Sequence, residues 1–441
     1  MAFALGCSLL LIASSASAET LADALASAYA NNPTLNAQRA SLRATDEGVP
    51  QALAGYRPTI SGSAQASLSS QMPGSIPRGV SLTIEQPIFT GMQTTNGVKI
   101  AETAVLAARE ALRDAEQQTL LAAATAFMNL VEAQANLNLT KENLDFLREQ
   151  VRAAQDRLNV GEGTKTDVAQ TNASLAAGQA EYNSAVAALN TALAVYEQVI
   201  GHRPTMLGAA KPVDAWLSKS LNAAIADAMT SHPSILAAGY NIDIADYNVK
   251  VVEGALLPTV SVSGTLTHED DSQGTGRTSN SAQAVASLSV PLYSGGETAS
   301  KVRQAKETLA QRRIELDAAR DTVREEVVSA WGTLDAARAQ ISAAQSEVSA
   351  EGLVLSGVIE QQKVGQSTTL DVLNAQQTLL NARVADVTAQ HDRVIASYTL
   401  LAAIGMLNAQ TLKLNVQPYD PVTQYTQVRD KWGGLRTPDG R

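Results

Sequence analysis

The chain contains an internal duplication, and this feature restricts its possible folds more than any other. Residues 28–33 (AYANNP) correspond to residues 228–233 (AMTSHP), 200 positions later. Further along, the offset is 204, as between residues 86–91 (QPIFTG) and 290–295 (VPLYSG). A duplication of this length predicts two copies of one structural unit. The four extra residues are expected in a Gly/Ser-rich surface loop within residues 268–281.

Each copy is expected to contain the same order of elements. The order is a helix of roughly 35 residues, two short β-segments, a helix of about 65 residues, a turn and another long helix. The helical stretches are rich in Ala, Leu, Gln, Glu and Arg, and alanine fills most apolar positions, which favours close, coiled-coil-like packing. The expected boundaries are a first repeat at 19–201, a linker at 202–215, a second repeat at 216–405 and a C-terminal tail at 406–441.

The β-segments alternate between apolar or small residues and polar residues. In the first segment, Ile60, Gly62 and Ala64 alternate with Ser61 and Ser63. This period of two predicts strands, and about 9 to 11 residues is the length of a tilted transmembrane strand with one apolar and one polar face. The four strands are expected near 58–70, 79–89, 258–268 and 281–293.

Four strands are too few to close a barrel, because about eight is the smallest useful number and an open edge in lipid leaves backbone groups without partners. Several chains must therefore contribute strands to one barrel. Two copies would give eight strands with a filled interior, and three copies would give 12 strands with room for a passage. The Ser/Thr-rich face favours three copies.

A short motif occurs at corresponding points of the two copies, as VGEGTKTDV at residues 160–168 and VGQSTTLDV at residues 364–372. Its spacing excludes a phosphate-binding P-loop, which needs four residues between its glycines and a lysine directly after the second. A tight turn between two helices fits both copies. A glycine takes the left-handed position after one helix, and a Thr-x-x-Asp capping box begins the next.

The N-terminal residues predict an exported protein. An apolar run of about 12 residues precedes a small-residue cleavage pattern, so residues 1–18 are expected to be a signal peptide, although no Lys or Arg precedes the run and the true start codon could lie upstream. Cys7 is the only cysteine and lies inside this segment, so the mature chain is expected to have neither a disulfide nor an acyl anchor. After the signal, no apolar run reaches the length of about 18 residues that a helical membrane span needs.

The charge distribution makes nucleic acid an unlikely class of partner. The formal net charge is −10, from 33 basic and 43 acidic residues, and no block of basic residues concentrates positive charge. A phosphate-binding surface is therefore not expected.

These features together resemble the TolC-type outer-membrane channels, the outer-membrane factors of multidrug efflux pumps and type I secretion systems. The resemblance covers nearly the whole mature chain and rests on the duplicated element order, the strand-to-helix junctions QPIFTG and VPLYSGG, and the paired turns. It implies a mainly α-helical homotrimer with a 12-stranded β-barrel in the outer membrane, continued by a 12-helix α-barrel across the periplasm. It also implies that this passive conduit is recruited by a periplasmic membrane-fusion (adaptor) protein and an inner-membrane transporter.

The resemblance also implies roles for the paired turns, which in this family lie at the periplasmic tip where the adaptor docks and the tunnel closes. The implied adaptor-docking residues are Val160, Gly161, Gly163, Thr164, Val364, Gly365, Ser367 and Thr368. Asp167 and Asp371 occupy positions where family members gather acidic residues at the closed aperture. Asn374 stands where a well-studied relative has a second aspartate, and Gln362 and Ser367 replace its Tyr and Arg latch partners. These departures weaken the case for a wide acidic ring and a strong latch.

Two other classes of protein remain as alternatives. A periplasmic coiled-coil adaptor would also be helical and alanine-rich, but it would lack membrane-length alternating strands. An enzyme would need convergent catalytic groups, and the sequence contains no recognisable triad, metal cluster or phosphate loop. No cofactor or metal site is expected, because the four histidines lack metal-ligand spacing and the acidic cluster at 268–271 is expected in a solvated outer loop. The tail is expected in the periplasm, without an assigned role.

Overall fold

The structure, a computed structural model, describes residues 18–67, 76–204, 206–270 and 277–440. Several sequence predictions lie partly outside these ranges. The residues concerned are 1–17 of the signal peptide, 68–70 at the end of the first strand, 205 in the linker, 271–276 in the expected Gly/Ser-rich loop, including Asp271 of the acidic cluster, and 441 at the end of the tail. The described chain is mainly helical, with one four-stranded sheet.

The two copies of the repeat have closely similar element orders. The first consists of α1 (Leu21–Asn31), α2 (Pro33–Asp46), α3 (Gly48–Leu53), β1 (Thr59–Ala66), β2 (Arg78–Phe89), α4 (Gln93–Asn159) and α5 (Lys165–Ile200). The second consists of α6 (Leu221–Ser231), α7 (Pro233–Gly254), β3 (Thr259–Asp270), β4 (Thr278–Ser289), α8 (Glu297–Lys363) and α9 (Thr369–Ala403). A short helix, α10 (Pro421–Val428), follows in the C-terminal tail.

Helices α4 and α8 are the longest described elements, with 67 residues each. At 1.5 Å per residue, each spans about 100 Å. Among the described residues, no helix combines the length and the apolar character needed to cross a membrane.

The prediction of one helix of roughly 35 residues before each hairpin is wrong, because both helical segments break at a proline. In the first copy, α1 ends at Asn31 and α2 begins at Pro33, with the Asn32 side chain accepting hydrogen bonds from the N–H groups of Thr34 (2.9 Å) and Leu35 (3.2 Å). Proline lacks the N–H that a continuous helix needs but fits the first helical position.

The same break recurs in the second copy. There α6 ends at Ser231 and α7 begins at Pro233, while His232 Nδ1 lies 3.3 Å from the N–H of Ser234 and caps the new helix. The proline and its preceding cap thus interrupt the helix at corresponding points of both copies.

The sheet is antiparallel throughout, in the order β1-β2-β3-β4. Its register collects the apolar residues of all four strands on one face, since Ile60 pairs with Ile84, Leu82 with Leu266, and Leu266 with Ala282. The opposite face carries Ser, Thr, Gln and Glu side chains, including Ser63, Ser81, Thr83, Thr265 and Gln283. The separation has exceptions on both faces. Val285 lies on the polar face opposite Ser263, and Gln86, His268 and Asn280 lie on the apolar face, toward the ends of the strands.

Four strand boundaries differ by two or more residues from those expected. Strand β1 ends at Ala66 and not near 70, and β4 begins at Thr278 and not near 281. Strand β3 continues to Asp270, so His268, Glu269 and Asp270 lie in a strand rather than in the expected outer loop, and His268 Nδ1 lies 2.6 Å from Asn280 Oδ1 on β4. The cross-strand pairing explains the longer strand, because it satisfies these polar residues' backbone groups. Strand β4 ends at Ser289, before the expected limit of 293.

The junction between β2 and α4 depends on a glycine-to-glycine contact. Gly91 has a positive φ of 61°, and a Cβ at this position would lie 2.4 Å from the carbonyl oxygen of Gly254 at the end of α7. A Cβ on Gly254 would lie 2.3 Å from the carbonyl oxygen of Gly91. Only glycine at both positions allows the two backbones to approach this closely.

The chain divides into two compact units. One comprises the residues up to Leu35, Glu116–Ala228 and Glu325–Pro418; the other comprises Asn36–Ala115, Met229–Arg324 and Tyr419–Arg441. In the first unit, Phe127 and Tyr196 are fully buried and their ring centroids lie 6.3 Å apart. The whole sheet belongs to the second unit.

The segment expected to be a linker forms ion pairs and a hydrogen bond with the long helices of the first unit. Asp214 forms ion pairs with Arg393 on α9 and with Arg338 on α8, the latter at 3.3 Å. The N–H of Val213 also donates to Ser397 Oγ at 3.2 Å. These contacts hold the connection between the two copies in one conformation.

Candidate functional site

The first interhelical turn has the geometry that its sequence predicts. Helix α4 ends at Asn159, and Gly161 takes the left-handed conformation with φ 85°. The N–H of Glu162 donates to the Arg157 carbonyl (2.8 Å) and the N–H of Gly161 donates to the Leu158 carbonyl (3.1 Å). This pair of bonds defines a Schellman motif, which satisfies carbonyls left unpaired at the helix end.

The second turn repeats this geometry. Helix α8 ends at Lys363, and Gly365 has φ 78°. The N–H of Gln366 donates to the Gln361 carbonyl (2.8 Å), and the N–H of Gly365 donates to the Gln362 carbonyl (3.1 Å). The prediction of two left-handed glycines at the ends of long helices is therefore confirmed.

Each turn is followed by a complete capping box, as the sequence predicts. Asp167 Oδ2 accepts hydrogen bonds from the Thr164 N–H (3.0 Å) and hydroxyl (2.7 Å), while the Asp167 N–H donates to Thr164 Oγ1 (3.1 Å). The corresponding distances between Thr368 and Asp371 are 2.8, 2.7 and 3.2 Å. Both hydrogen bonds to each carboxylate end on Oδ2, so capping engages a single carboxylate oxygen.

The capping hydrogen bonds keep both carboxylates charged. The hydroxyl of Thr164, then its backbone N–H, lowers the pKa of Asp167 below its ordinary value, with a smaller contribution from the positive charge of Arg157. The backbone N–H of Thr368, then its hydroxyl, lowers the pKa of Asp371. Each turn therefore presents an ionised aspartate at neutral pH; Asp371 is exposed and Asp167 is partly exposed.

Each turn has an exposed valine, and the space around its left-handed glycine is open. Val160 and Val364 are 71% and 70% exposed. A Cβ added to Gly161 or Gly365 would meet no described atom within 4 Å. Both turns could thus receive another surface directly against their backbone.

The third position of the motif differs between the turns. A Cβ on Gly163 would lie 3.1 Å from the Arg157 Cβ, so this glycine is tightly packed. Ser367, its counterpart, carries a side chain whose hydroxyl donates to Gln361 Oε1 (2.9 Å). The second turn thus accommodates a polar side chain at this position.

A polar chain of contacts connects the ends of α4, α8 and α9. Arg157 Nη2 donates to Gln362 Oε1 (3.4 Å), and Gln362 Nε2 donates to Thr369 Oγ1 (3.3 Å). The sequence did not predict the role of Arg157. This residue precedes the motif, and its neighbours in sequence do not indicate a contact with a residue about 200 positions away. Asn374 lies one turn beyond Asp371 on α9 and is exposed.

The histidines take part in ordinary polar contacts. His202 Nε2 lies 3.0 Å from Glu19 Oε1, and His391 Nε2 lies 2.7 Å from Asn129 Oδ1. Within the part of the chain that the structure describes, no group of three or more His, Cys, Asp or Glu side chains is arranged to hold a metal ion.

A family model for outer membrane efflux proteins matches residues 24–202 and 224–406. The chain belongs to this family. The two matched segments each contain one of the paired turns. Members of the family are channel proteins of the outer membrane, so the outer membrane is also the location of this chain.

Named relatives agree with the family assignment. The chain is 46% identical over 427 residues to the outer membrane efflux protein BepC of Brucella suis, covering 96% of this chain and 93% of BepC. It is 26% identical over 428 residues to the outer membrane protein TolC of Escherichia coli, covering 92% of this chain and 86% of TolC. The resemblance inferred from the sequence is thereby confirmed, and the efflux-channel interpretation is favoured over a coiled-coil adaptor.

The fold is also that of a known outer-membrane channel. The crystal structure of the CmeC outer membrane channel of Campylobacter jejuni matches with a TM-score of 0.76 at 18% sequence identity, over 93% of this chain and 89% of CmeC. At this level of identity the similarity establishes the fold alone.

Proposed function

We propose that three copies of this chain form a channel-tunnel that serves as the exit duct of a tripartite efflux pump or type I secretion system. The sheets combine into a 12-stranded barrel in the outer membrane, and the long helices combine into a 12-helix tunnel. The observation that carries the proposal is the two-faced sheet, whose register separates apolar from polar residues across all four strands.

The apolar face has the exposure expected of a lipid-facing surface. Ile60, Leu82, Leu266 and Leu288 lie on it and are largely exposed in the single chain. Water would make such a face costly, since each square ångström of apolar surface costs about 25 cal/mol. The lipid of the outer membrane removes this cost, and the Ser/Thr face then lines a water-filled passage.

The two outer strands support an assembly of several chains. In the described sheet, β1 pairs only with β2 and β4 pairs only with β3, so each has one edge without a partner. In lipid, such an edge must be paired. Pairing β4 of one chain with β1 of the next closes the barrel, and three chains give an interior wide enough for a passage.

The paired turns supply the docking surface for a periplasmic adaptor protein. The open glycines at 161 and 365 and the exposed valines at 160 and 364 support close approach of a partner helix. Gly163, Thr164, Ser367 and Thr368 shape the same surface. Three chains present six similar turns, a number that matches a hexameric adaptor, which in turn connects the duct to an energised inner-membrane transporter.

Asp167 and Asp371 form the acidic lining of the aperture, with Asn374 beside Asp371. Their carboxylates are ionised and repeat sixfold in a trimer, which concentrates negative potential in a narrow opening and favours cations. The duct carries its substrates passively, and no catalytic step or cofactor is part of the proposal.

Native mass spectrometry of the detergent-extracted protein tests the number of chains, and three per particle are expected.

A matched pair of variants tests the sidedness of the sheet, because Val262 lies on the apolar face and Ser263 on the polar face. An arginine at the lipid-facing midplane costs about 2 to 4 kcal/mol. Val262→Arg should therefore reduce assembly more than Ser263→Arg; the reverse order, or a stable monomer, would contradict the proposal.

A further inference from the structure

The C-terminal tail lies along the first repeat and is held there by three arginines. The Arg39 guanidinium lies 5.3 Å from the Tyr419 ring centroid, that of Arg109 lies 5.3 Å from Tyr425, and that of Arg57 lies 4.7 Å from Trp432. Arg429 adds an ion pair to Glu102 at 3.0 Å. All these residues belong to one compact unit, in which the part of the tail from Tyr419 onward packs on the first repeat.

The end of this tail exposes two large apolar side chains. Trp432 is 74% exposed and Leu435 is 103% exposed. Their loop is nevertheless ordered, because Arg57 Nη1 donates to the Lys431 carbonyl (2.8 Å) and Lys431 Nζ donates to the Arg436 carbonyl (2.7 Å). These hydrogen bonds leave Trp432 and Leu435 pointing away from the rest of the chain, where both side chains are available to a second surface.

The position of this loop suggests what the partner is. Arg57, which stacks on Trp432, precedes the first residue of β1 by two positions, so the loop lies at the end of the sheet that adjoins the helices. The apolar face of the sheet begins there with Ile60, which is itself exposed. The loop therefore lies close to the strand end at which this apolar face begins, at the level where the proposed function places the membrane surface.

The charge of the loop also suits a membrane surface. Arg57 lies over the Trp432 ring, and residues 429–440 contain Arg429, Lys431 and Arg436 against Asp430 and Asp439, a small positive excess in a chain whose net charge is −10. Tryptophan concentrates at the level of lipid headgroups, and lysine and arginine near it attract anionic lipid.

We propose that residues 431–436 form an interface anchor that inserts Trp432 and Leu435 among phospholipid headgroups of the periplasm-facing leaflet. Arg57 orients the indole, and Arg57, Lys431 and Arg436 contact lipid phosphates. The anchor rests on the proposed function, since it requires the sheet to span the outer membrane.

Tryptophan fluorescence in reconstituted full-length protein tests the anchor. The substitutions Trp216→Phe and Trp331→Phe leave Trp432 as the only tryptophan. The vesicles contain phosphatidylethanolamine and phosphatidylglycerol, either without bromine or with bromine on the acyl chains, close to the headgroup in one preparation and close to the chain end in another, so that both the headgroup level and the bilayer midplane are sampled. We expect brominated lipid to reduce the fluorescence emission of Trp432. In the double variant Lys431→Gln, Arg436→Gln, we expect brominated lipid to reduce this emission less.

Two further single-tryptophan proteins distinguish a failure of the anchor proposal from a failure of the barrel proposal. In the first, Trp432→Phe is added and Val262→Trp places a reporter on the apolar face of the sheet. In the second, Trp331 on α8 is the only tryptophan, and its emission should not change.

Three outcomes would overturn one proposal or the other. Loss of emission at position 262 without loss at Trp432 overturns the anchor and leaves the barrel intact. Unchanged emission at both positions overturns the proposed function, and the anchor with it. Equal losses of emission at Trp331 and Trp432 also overturn the anchor, because quenching by brominated lipid would then not depend on where the tryptophan lies in the protein.

Discussion

The two copies of the repeat are nearly identical at their interhelical turns and clearly different beside the strands. Both turns have a left-handed glycine, the same Schellman hydrogen bonds and a complete capping box. Beside the strands, the tail packs on arginines at positions 39 and 57 of the first copy, whereas the second copy has Gly239 and Leu257 at the corresponding positions.

A pair of equivalent aspartates shows the same asymmetry. Asp46 in the first copy is fully buried, and neither carboxylate oxygen has a hydrogen-bond partner among the described residues. Asp246, 200 positions later, is partly exposed and pairs with Lys250 at 2.6 Å. The two copies therefore share their geometry at the turns and differ beside the strands, where a single tail packs on the first copy.

The largest expected effect comes from filling one of the open glycine positions. Gly365→Trp should give a membrane-inserted trimer that neither exports substrates nor crosslinks to its adaptor, because the indole obstructs the partner helix. The left-handed backbone adds strain of about 1 to 2 kcal/mol. Drug-susceptibility assays and site-specific crosslinking measure the result, with Gly161→Trp as the equivalent change in the other turn.

Gly365→Ala is the matched control for that experiment. It imposes the same backbone strain but adds only a methyl group, which would meet no described atom within 4 Å. It should retain most export. Normal export and crosslinking by Gly365→Trp would show that the turn is only a connection between helices.

An intermediate effect is expected from neutralising the turn carboxylates. Asp371→Asn and Asp167→Asn keep an oxygen that can accept the capping hydrogen bonds but remove the charge. Single-channel recordings should show reduced cation selectivity, with the double variant changing most. Glu149→Gln, which removes an exposed charge elsewhere on α4, is the control. Unchanged selectivity in all three aspartate variants would restrict these residues to capping.

A smaller effect, on stability, distinguishes the aspartates beside the strands. Burial raises the pKa of Asp46 to about 6 from an ordinary value of 3.8, with Arg109 partly opposing the shift. A raised pKa means that the folded state holds this proton more tightly, so its contribution to stability is complete below about pH 4 and is lost as the pH rises through about 6. Asp46→Asn should abolish that loss and raise the thermal midpoint at pH 7.

Asp246→Asn is the comparison for this pH profile. It breaks an exposed ion pair with Lys250, which is worth about 0.5 kcal/mol or less. Thermal unfolding between pH 4 and 8 should show the wild-type slope in this variant and a flatter slope in Asp46→Asn. A destabilised Asp46→Asn protein at pH 7 would mean that the charge attraction to Arg109 outweighs the cost of burial.

The smallest effect concerns the junctions that begin the longest helices. Met92 has a positive φ of 64°, whereas its counterpart Gly296 has φ 87°. Met92→Gly should stabilise the protein by about 0.5 kcal/mol, since relief of strain exceeds the added flexibility of the unfolded chain. Gly296→Met should destabilise it by a similar amount, as measured by denaturant unfolding. Opposite signs would imply that the Met92 side chain makes stabilising contacts.

The sequence predicts the turns well because their signals are local. A left-handed glycine and a threonine three residues before an aspartate determine the backbone of VGEGTKTDV and VGQSTTLDV without help from distant residues. The sequence also predicts the strands, because apolar and polar residues alternate with a period of two along each of them. The break at Pro33 differs from the prediction of one continuous helix, because the helical pattern of apolar residues continues on both sides of the proline and conceals the local signal.

The remaining features depend on distant parts of the chain. The burial of Asp46, the stacking of Arg57 on Trp432 and the contact between Arg157 and Gln362 join residues that are far apart in sequence. No local pattern specifies such pairs. The sequence therefore left the tail without a role, and the structure assigns it a position on the first repeat.

The unpaired edges of β1 and β4 have a genetic consequence. If each barrel closes only through strands from three chains, one chain with a damaged edge strand disrupts one of the three seams and leaves the barrel open. A cell that makes equal amounts of intact and damaged chains would then assemble about one fully intact channel in eight, assuming random mixing. Alleles that damage an edge strand without preventing assembly should therefore be dominant, whereas alleles that abolish folding of the chain should be recessive.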